Sequence, residues 1–264
     1  MALKKTVAII LRTMKMGETS LLLTLYSREV AVLKLVAKGA RSSKSRYSGI
    51  LQPLNTVEVV YYEKANRDLH TLSQATVLDS PDMKTMGPDS IVLAMACCEM
   101  AARLEAYSAV SNAVFDHLSV VISVFARAGE RSARTAFLIF QVKLLQTLGY
   151  SPELERCSRC GSESAQHWFF DFHHVRLFCH QCGSEHYRMD VFQPETIRSL
   201  LYFLSGELRS AAEMTVKSLT LAEIYRFVDR FYSYHLPEMQ NLKSLKVLRQ
   251  MKLFNPDGGP RREP

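Results

Sequence analysis

At 264 residues the chain is long enough for two or three modules, and 47% hydrophobic with 22% charged residues is the composition of a packed protein, not a disordered one. The longest apolar runs, such as residues 7–11 and 21–23, are far too short to cross a bilayer. Arg12 interrupts the first run before any cleavage-site pattern, so a protein without a secretory leader, working in the cytoplasm, is expected.

Charge is unevenly spread. Residues 1–80 hold twelve Lys and Arg against six Asp and Glu, which accounts for +6 of the net +7. Such a concentration points to a polyanionic partner, nucleic acid or anionic membrane, against the plainer alternative of a solvated basic face. The same segment reads as β. Residues 6–12 alternate, with Val7, Ile9 and Leu11 on one face, and strands are predicted over 20–26, 30–37, 56–62 and 69–78. In the fourth, Val57, Val59 and Tyr61 fall together. Five strands, with a longer excursion between the third and fourth, suit an OB-type barrel, with an SH3-like barrel as the competing arrangement.

That excursion is basic. Between Val30 and Leu54 stand Lys34, Lys38, Arg41, Lys44 and Arg46, with no acid. Interleaved serines and Gly39 supply hydroxyls and amides for phosphate oxygens. Tyr47 follows, with Tyr26, Tyr61 and Tyr62 on neighbouring strands, and cations beside aromatic platforms are how OB-folds hold single strands. The expected nucleic-acid contacts are therefore Lys34, Lys38, Arg41, Lys44, Arg46 and Tyr47. One of the alternating pair Tyr61 and Tyr62 belongs to the core.

Pro81 and Gly87–Pro88 mark a boundary, after which Asp89 reads as the N-cap of a first helix. Helices follow at about 112–126 and 132–148, the latter closed by Gly149. Their Phe, Leu and Met stripes read as bundle core, and the adjacent Cys97 and Cys98 as small buried hydrophobes. Residues 153–190 form a cysteine module. Helices resume at 194–204, 219–235 and 242–251, and a tail of Pro, Gly and Arg at 255–264 reads as disordered. The predicted architecture is α+β: an OB barrel over 1–80, a helical domain in two parts (81–152 and 191–254), and the cysteine module inserted between them.

Cys157-Ser-Arg-Cys160, eighteen intervening residues and Cys179-His-Gln-Cys182 make two matched C-x-x-C knuckles. Four thiolates at this spacing fill a tetrahedral shell, which predicts one structural Zn2+ held by Cys157, Cys160, Cys179 and Cys182. Gly161 and Gly183 supply the tight turn after each knuckle, and residues 168–178 form the hairpin between them. His180 is a weaker alternative ligand; His173, His174 and His186 read as surface or turn residues. No Gly-Lys dipeptide, G-x-S-x-G, H-x-E or H-E-x-x-H occurs, so neither a P-loop nor a nucleophile elbow nor a catalytic zinc is predicted. A binding protein is expected instead of an enzyme.

The order of these features resembles the bacterial RecO family over almost the whole chain. It is carried by the barrel, Lys38-Gly-Ala-Arg41 and its serine-rich continuation, Leu51-Gln-Pro53, the helical middle, the paired knuckles and Leu242-Lys-Ser-Leu-Lys-Val-Leu248. One departure is His173-His174 where a glycine-containing hairpin turn is expected. The resemblance implies binding to single- and double-stranded DNA, annealing of complementary strands, and loading of RecA with RecR onto strands coated by single-strand-binding protein. It also implies docking of the acidic, hydrophobic tail of single-strand-binding protein on the helical domain, with Arg127, Arg131 and Arg134 as candidate contacts. The rival reading is an OB-fold and zinc-ribbon factor for RNA or translation, told apart by a preference for structured RNA.

Overall fold

The computed structural model describes residues 2–106, 111–127, 129–184 and 189–254. Contacts divide the chain into two compact units, Met1–Arg127 and Ala128–Pro264. The sequence places a helical domain from residue 81 onward; by contact, the first two helices belong with the barrel.

In the first unit, β1 (Ala2–Met16), β2 (Ser20–Ser27), β3 (Ala31–Ala37), β4 (Thr56–Glu63) and β5 (Leu69–Asp79) close into a barrel of order β1-β2-β3-β5-β4. β1 is much longer than its alternating stretch because it serves two partners. Its first half pairs with β4 and its second with β2, and a register shift between Ile10 and Arg12 bends it from one to the other. Closure comes from a short parallel pairing of β3 with β5 at Lys34↔Leu69, Leu35↔His70 and Val36↔Thr71.

Ala8, Ile10, Leu23, Leu25, Leu33, Leu35, Val57, Val59 and Tyr61 fill the barrel. The grouping of Val7, Ile9 and Leu11 is therefore corrected: Ala8 and Ile10 point inward. Ile9 and Leu11 are also fully buried, as is Tyr26, but they lie outside the barrel core. β1 and β2 carry α1 (Pro88–Ala102) and α2 (Ser111–Arg127) on their outer side, so this part of β1 is covered on both faces and loses its alternation. α1 starts with Pro88 at its first position and Gly87 as N-cap; Asp89 stands in the first turn, where its charge suits the helix dipole.

In the second unit, α3 (Glu130–Thr147), α5 (Pro194–Ser205), α6 (Leu208–Ala212) and α7 (Ser218–His235) pack together through buried Phe137, Phe140, Leu144, Leu200, Phe203 and Ile224. Gly149, at φ +85°, ends α3 and returns its N–H to Gln146 at 2.9 Å. Between α3 and α5 lie β6 (Trp168–Asp171), β7 (Arg176–Cys179), the single turn α4 (His180–Gly183) and β8 (Asp190–Phe192), in a sheet of order β7-β6-β8. α8 (Lys243–Met251) follows α7. The sequence pattern omits β8, α4 and α6, each too short to show a period. The predicted disordered tail lies outside the described residues.

α7 is the floor on which this sheet rests. Phe170 and Phe172 of the β6 hairpin meet Phe227 at ring distances of 4.7 and 5.3 Å, and Phe192 of β8 joins them at 5.3 Å. Polar contacts fix the same seam. Arg230 pairs with Asp190 at 2.9 Å and Arg226 donates to the Val191 carbonyl at 2.7 Å, while just past β8 the Glu223 carboxylate accepts from the Gln193 N–H at 3.0 Å and from Thr196 Oγ1 of α5 at 2.6 Å.

Candidate metal centre and nucleic-acid interface

The knuckles bring four sulfurs together. The Sγ atoms of Cys157, Cys160, Cys179 and Cys182 all lie within 4.8 Å of one another, with Cys160 and Cys179 3.7 Å apart. A disulfide needs about 2.05 Å. A tetrahedral ion about 2.3 Å from each sulfur needs edges of about 3.8 Å, so the site fits a metal and not a pair of disulfides. All four are free cysteines; Cys157 and Cys179 are buried, while Cys160 is exposed.

Local hydrogen bonds shape the first knuckle. Gly161 at φ +74° lets its N–H reach the Cys157 carbonyl at 2.9 Å, and the Ser158 N–H donates to Leu177 of β7 at 2.7 Å. Burial works against a thiolate at Cys157, but the amides of Cys179, Cys160 and Arg159 donate to it and pull it down to about 6. Lost hydration and thiol hydrogen bonds to Cys160, Cys179 and Cys157 push Cys182 up to about 12. Cys157 and Cys182 are thus pushed in opposite directions, and a divalent cation, which takes thiolate ligands, would favour the deprotonated form of both.

The second knuckle corrects one expectation. Gly183 sits in α4 and is not a left-handed turn residue. A Cβ there would lie 2.5 Å from Cδ2 of Phe169, so glycine is required by packing. The hairpin departure is also explained: Asp171 accepts the N–H groups of His173 and His174 at 2.9 and 3.2 Å, and Val175 takes the left-handed position at φ +55°. His173 and His174 are exposed, as the sequence suggests, and His186 lies outside the described residues. His180 accepts from Gln166 N–H and is not part of the sulfur cluster.

The basic loop folds over one end of the barrel. Tyr47, proposed above as a stacking platform, is only 7% exposed and lies in the barrel core, its hydroxyl donating to Ser73 O at 3.0 Å. Its ring face is not offered to a base. A loop this long needs an apolar plug to cover the barrel mouth, and Tyr47 and Leu51 supply it. Arg46 covers the ring, 5.0 Å from its centroid, and donates to Tyr47 Oη and Ser73 O. Arg41 donates to the carbonyls of Gly17 and Glu18 at 3.2 and 3.0 Å, while its own N–H reaches Thr19. Both arginines, though exposed like Lys38 and Lys44, thus position the loop.

Arg41 ties the loop to the β1–β2 turn, and with it to a surface that the sequence reading missed. Two cross-strand rows run along the outer face of the barrel. Arg12 pairs with Thr24, Thr24 with Lys34 and Lys34 with Leu69; beside them Met14 pairs with Leu22, Leu22 with Val36 and Val36 with Thr71. Since strand side chains alternate, each row presents one face. Arg12 and Met14 are exposed, and Thr24, Lys34, Leu22 and Val36 half-buried. This is the strand face on which OB-folds take oligonucleotides. Its register could be found only by pairing strands, because the bulge at Leu11 hides the phase of Arg12 and Met14. Of the four tyrosines considered, Tyr62 alone is exposed, next to Lys64 and Arg67 of the β4–β5 connection; Tyr26, with its pKa pushed up to about 12 by burial, and Tyr61 are interior.

Arg127 ends α2 in the first unit, and Arg131 and Arg134 belong to α3 in the second. Arg131 is exposed and Arg134 half-buried. Among the described residues no helix is long and apolar enough to cross a membrane.

An OB barrel followed by helices that frame a four-cysteine double knuckle defines a narrow class of two-unit OB-fold protein. Family models described as the N-terminal and C-terminal parts of recombination protein O match residues 1–81 and 88–246. The chain belongs to the RecO family, whose role is in DNA repair and recombination. Among proteins named DNA repair protein RecO, that of Bacillus pumilus is 28% identical over 260 residues, covering 94% of each chain. The protein of Bacillus subtilis is 27% identical, covering 95% of each. That of a Nocardioides species is 30% identical, covering 90% of this chain and 96% of its own.

Proposed function

We propose that this chain is a recombination mediator that binds single- and double-stranded DNA on the outer β1–β2–β3 face and the basic loop. There it anneals complementary strands and, with RecR, helps load RecA onto strands coated by single-strand-binding protein. The observation that carries the reading is the row of Arg12, Thr24 and Lys34 across β1, β2 and β3, with the exposed cation Lys38 directly after the end of β3 and Lys44 exposed in the loop beyond. Cations over an aliphatic floor engage phosphates without reading bases. The same face therefore accepts either strand of a complementary pair and lowers their mutual repulsion, which is what annealing requires. No catalytic group is needed.

Zn2+ in this reading is structural, held by Cys157, Cys160, Cys179 and Cys182, and fixes the knuckles that present β6 and β7 to α7. The tail of single-strand-binding protein, acidic and hydrophobic, docks on the second unit, with Arg131 and Arg134 as candidate contacts and Arg127 nearby in sequence. Family membership and the basic barrel support a cytoplasmic, nucleoid-associated protein.

The test is the rate at which the full chain anneals two complementary oligonucleotides, compared with the triple variant Arg12→Ala/Lys38→Ala/Lys44→Ala. Fast annealing lost in the variant, with fold and metal content kept, supports the reading. Tight binding to structured RNA without annealing of DNA would overturn it.

A further inference from the structure

Past its register shift, β1 alternates cleanly. Thr13 lies opposite Leu23 and Lys15 opposite Leu21; Leu23 belongs to the barrel core, and Leu21 packs against it. Arg12, Met14 and Met16 therefore share the outward face. Both methionines are bare, Met14 at 42% and Met16 at 41% exposed. Met14 continues through Leu22 to Val36, so an apolar strip runs beside the row of Arg12, Thr24 and Lys34, two residues away along each strand. At about 3.4 Å per residue the two rows stand about 7 Å apart.

We propose that this strip takes the faces of the bases of a single strand whose phosphates lie on the cation row, with Met14 and Met16 as its main contacts. The inference rests on the reading that this barrel face binds DNA, and it names the residues that meet the bases. A nucleotide is itself two-sided, an anionic backbone with a flat, largely apolar base to one side, and the two rows match that division. Methionine suits the base side because its thioether is polarizable and its side chain turns about three bonds, so it adapts to any base.

Folding alone does not account for the strip. β-branched and aromatic residues pack best on a strand face, yet here two unbranched methionines stand two residues apart and largely in solvent, beside half-buried Leu22 and Val36. Charge selects the occupant. β2, β3 and β1 from Arg12 onward carry no acid, and Glu18 stands in the turn between β1 and β2. Cations edged by apolar side chains suit a polyanion with exposed flat faces, which is a single-stranded nucleic acid. A duplex keeps its base faces stacked inside and engages the cation row alone.

The strip also bears on annealing. Met14, Met16, Leu22 and Val36 offer no strong side-chain donor or acceptor, so they do not compete for the pairing edges of the bases. A strand held by its phosphates and base faces keeps those edges free for its complement.

The experiment compares binding of the full chain to an oligothymidylate and to an abasic strand of equal length, which has the same phosphates and no bases. Sulfur–aromatic contacts are worth about 2- to 10-fold each, so Met14→Thr/Met16→Thr should weaken oligothymidylate binding about 4- to 100-fold at 0.1 M salt. Threonine keeps the strand propensity, and affinity for the abasic strand and for duplex should change less than about twofold. Met14→Leu/Met16→Leu, which restores an apolar surface, should recover most of the loss. In wild type labelled with carbon-13 at its methionine methyls, the Met14 and Met16 signals, assigned by their absence from the leucine variant, should move upfield with oligothymidylate and stay in place with the abasic strand. Equal affinity of wild type for the two strands, or a variant loss that falls on both alike, would sink the inference and leave the barrel reading standing. Failure of wild type to bind any of the three nucleic acids would bring down the barrel reading itself. A dimer that the threonine variant dissolves, with the preference for bases intact, would overturn the inference in favour of a second copy of the chain.

Discussion

Lys38 and Lys44 should contribute charge alone, whereas Arg41 and Arg46 also hold the loop in place, and a salt series separates the two roles. Each phosphate neutralised by a single-strand contact adds about 0.7 to the slope of log K against log salt. Lys38→Ala/Lys44→Ala should therefore lower that slope by about 1.4, weaken binding about 25-fold at 0.1 M salt, and leave binding near 1 M almost unchanged. Arg41→Lys keeps the charge but loses the paired donation to the carbonyls of Gly17 and Glu18. Exposed hydrogen bonds of this kind are worth about 0.5–1.5 kcal/mol each. The cost of Arg41→Lys should appear equally at low and high salt, because it reflects loop position and not counterion release. Anisotropy titrations of a labelled oligonucleotide between 0.05 and about 1 M salt give both quantities. A slope unchanged by Lys38→Ala/Lys44→Ala, or an Arg41→Lys defect that vanishes at high salt, would refute the division of roles.

Zinc loading should release about one proton fewer per ion at pH 7 than at pH 5, because Cys157, at about 6, is already ionised at the higher pH; calorimetry in buffers of different ionisation enthalpy measures it. In the metal-free chain the same depressed thiol makes stability rise with pH from about 6 to 9, since the unfolded state binds more protons there; urea midpoints that stay flat over that window would contradict this. Gly183→Ala forces a methyl against Phe169 and should cost about 1–3 kcal/mol in denaturant unfolding. Val175→Gly relieves a β-branched residue in the left-handed region and should leave the hairpin no less stable, with a gain of up to about 1 kcal/mol.

The five strands and the major helices were legible because each carries its own period, and the sulfur site because C-x-x-C spacing is local. What escaped depends on partners distant in sequence. Tyr47 looks like a ligand platform beside its cations, yet the barrel needs a plug at that mouth, and Ser73, far along the chain, takes its hydroxyl. Gly183 looks like a turn glycine until Phe169 is placed above it. Arg12 belongs to the candidate interface only once the Ile10–Arg12 register shift is known. β8 is three residues long and exists because β6 has a free edge and α7 holds Asp190 and Val191.

The parallel seam between β3 and β5 has three residue pairs, far fewer than any other junction in the barrel, and Lys34 is one of its members. A strand of DNA lying along Arg12, Thr24 and Lys34 would cross that seam like a clasp over a hinge. Because a ligand that prefers the closed form deepens its population, the seam amides should exchange with solvent more slowly when DNA is bound. The weakest edge of the fold would then be the one best placed to report occupancy.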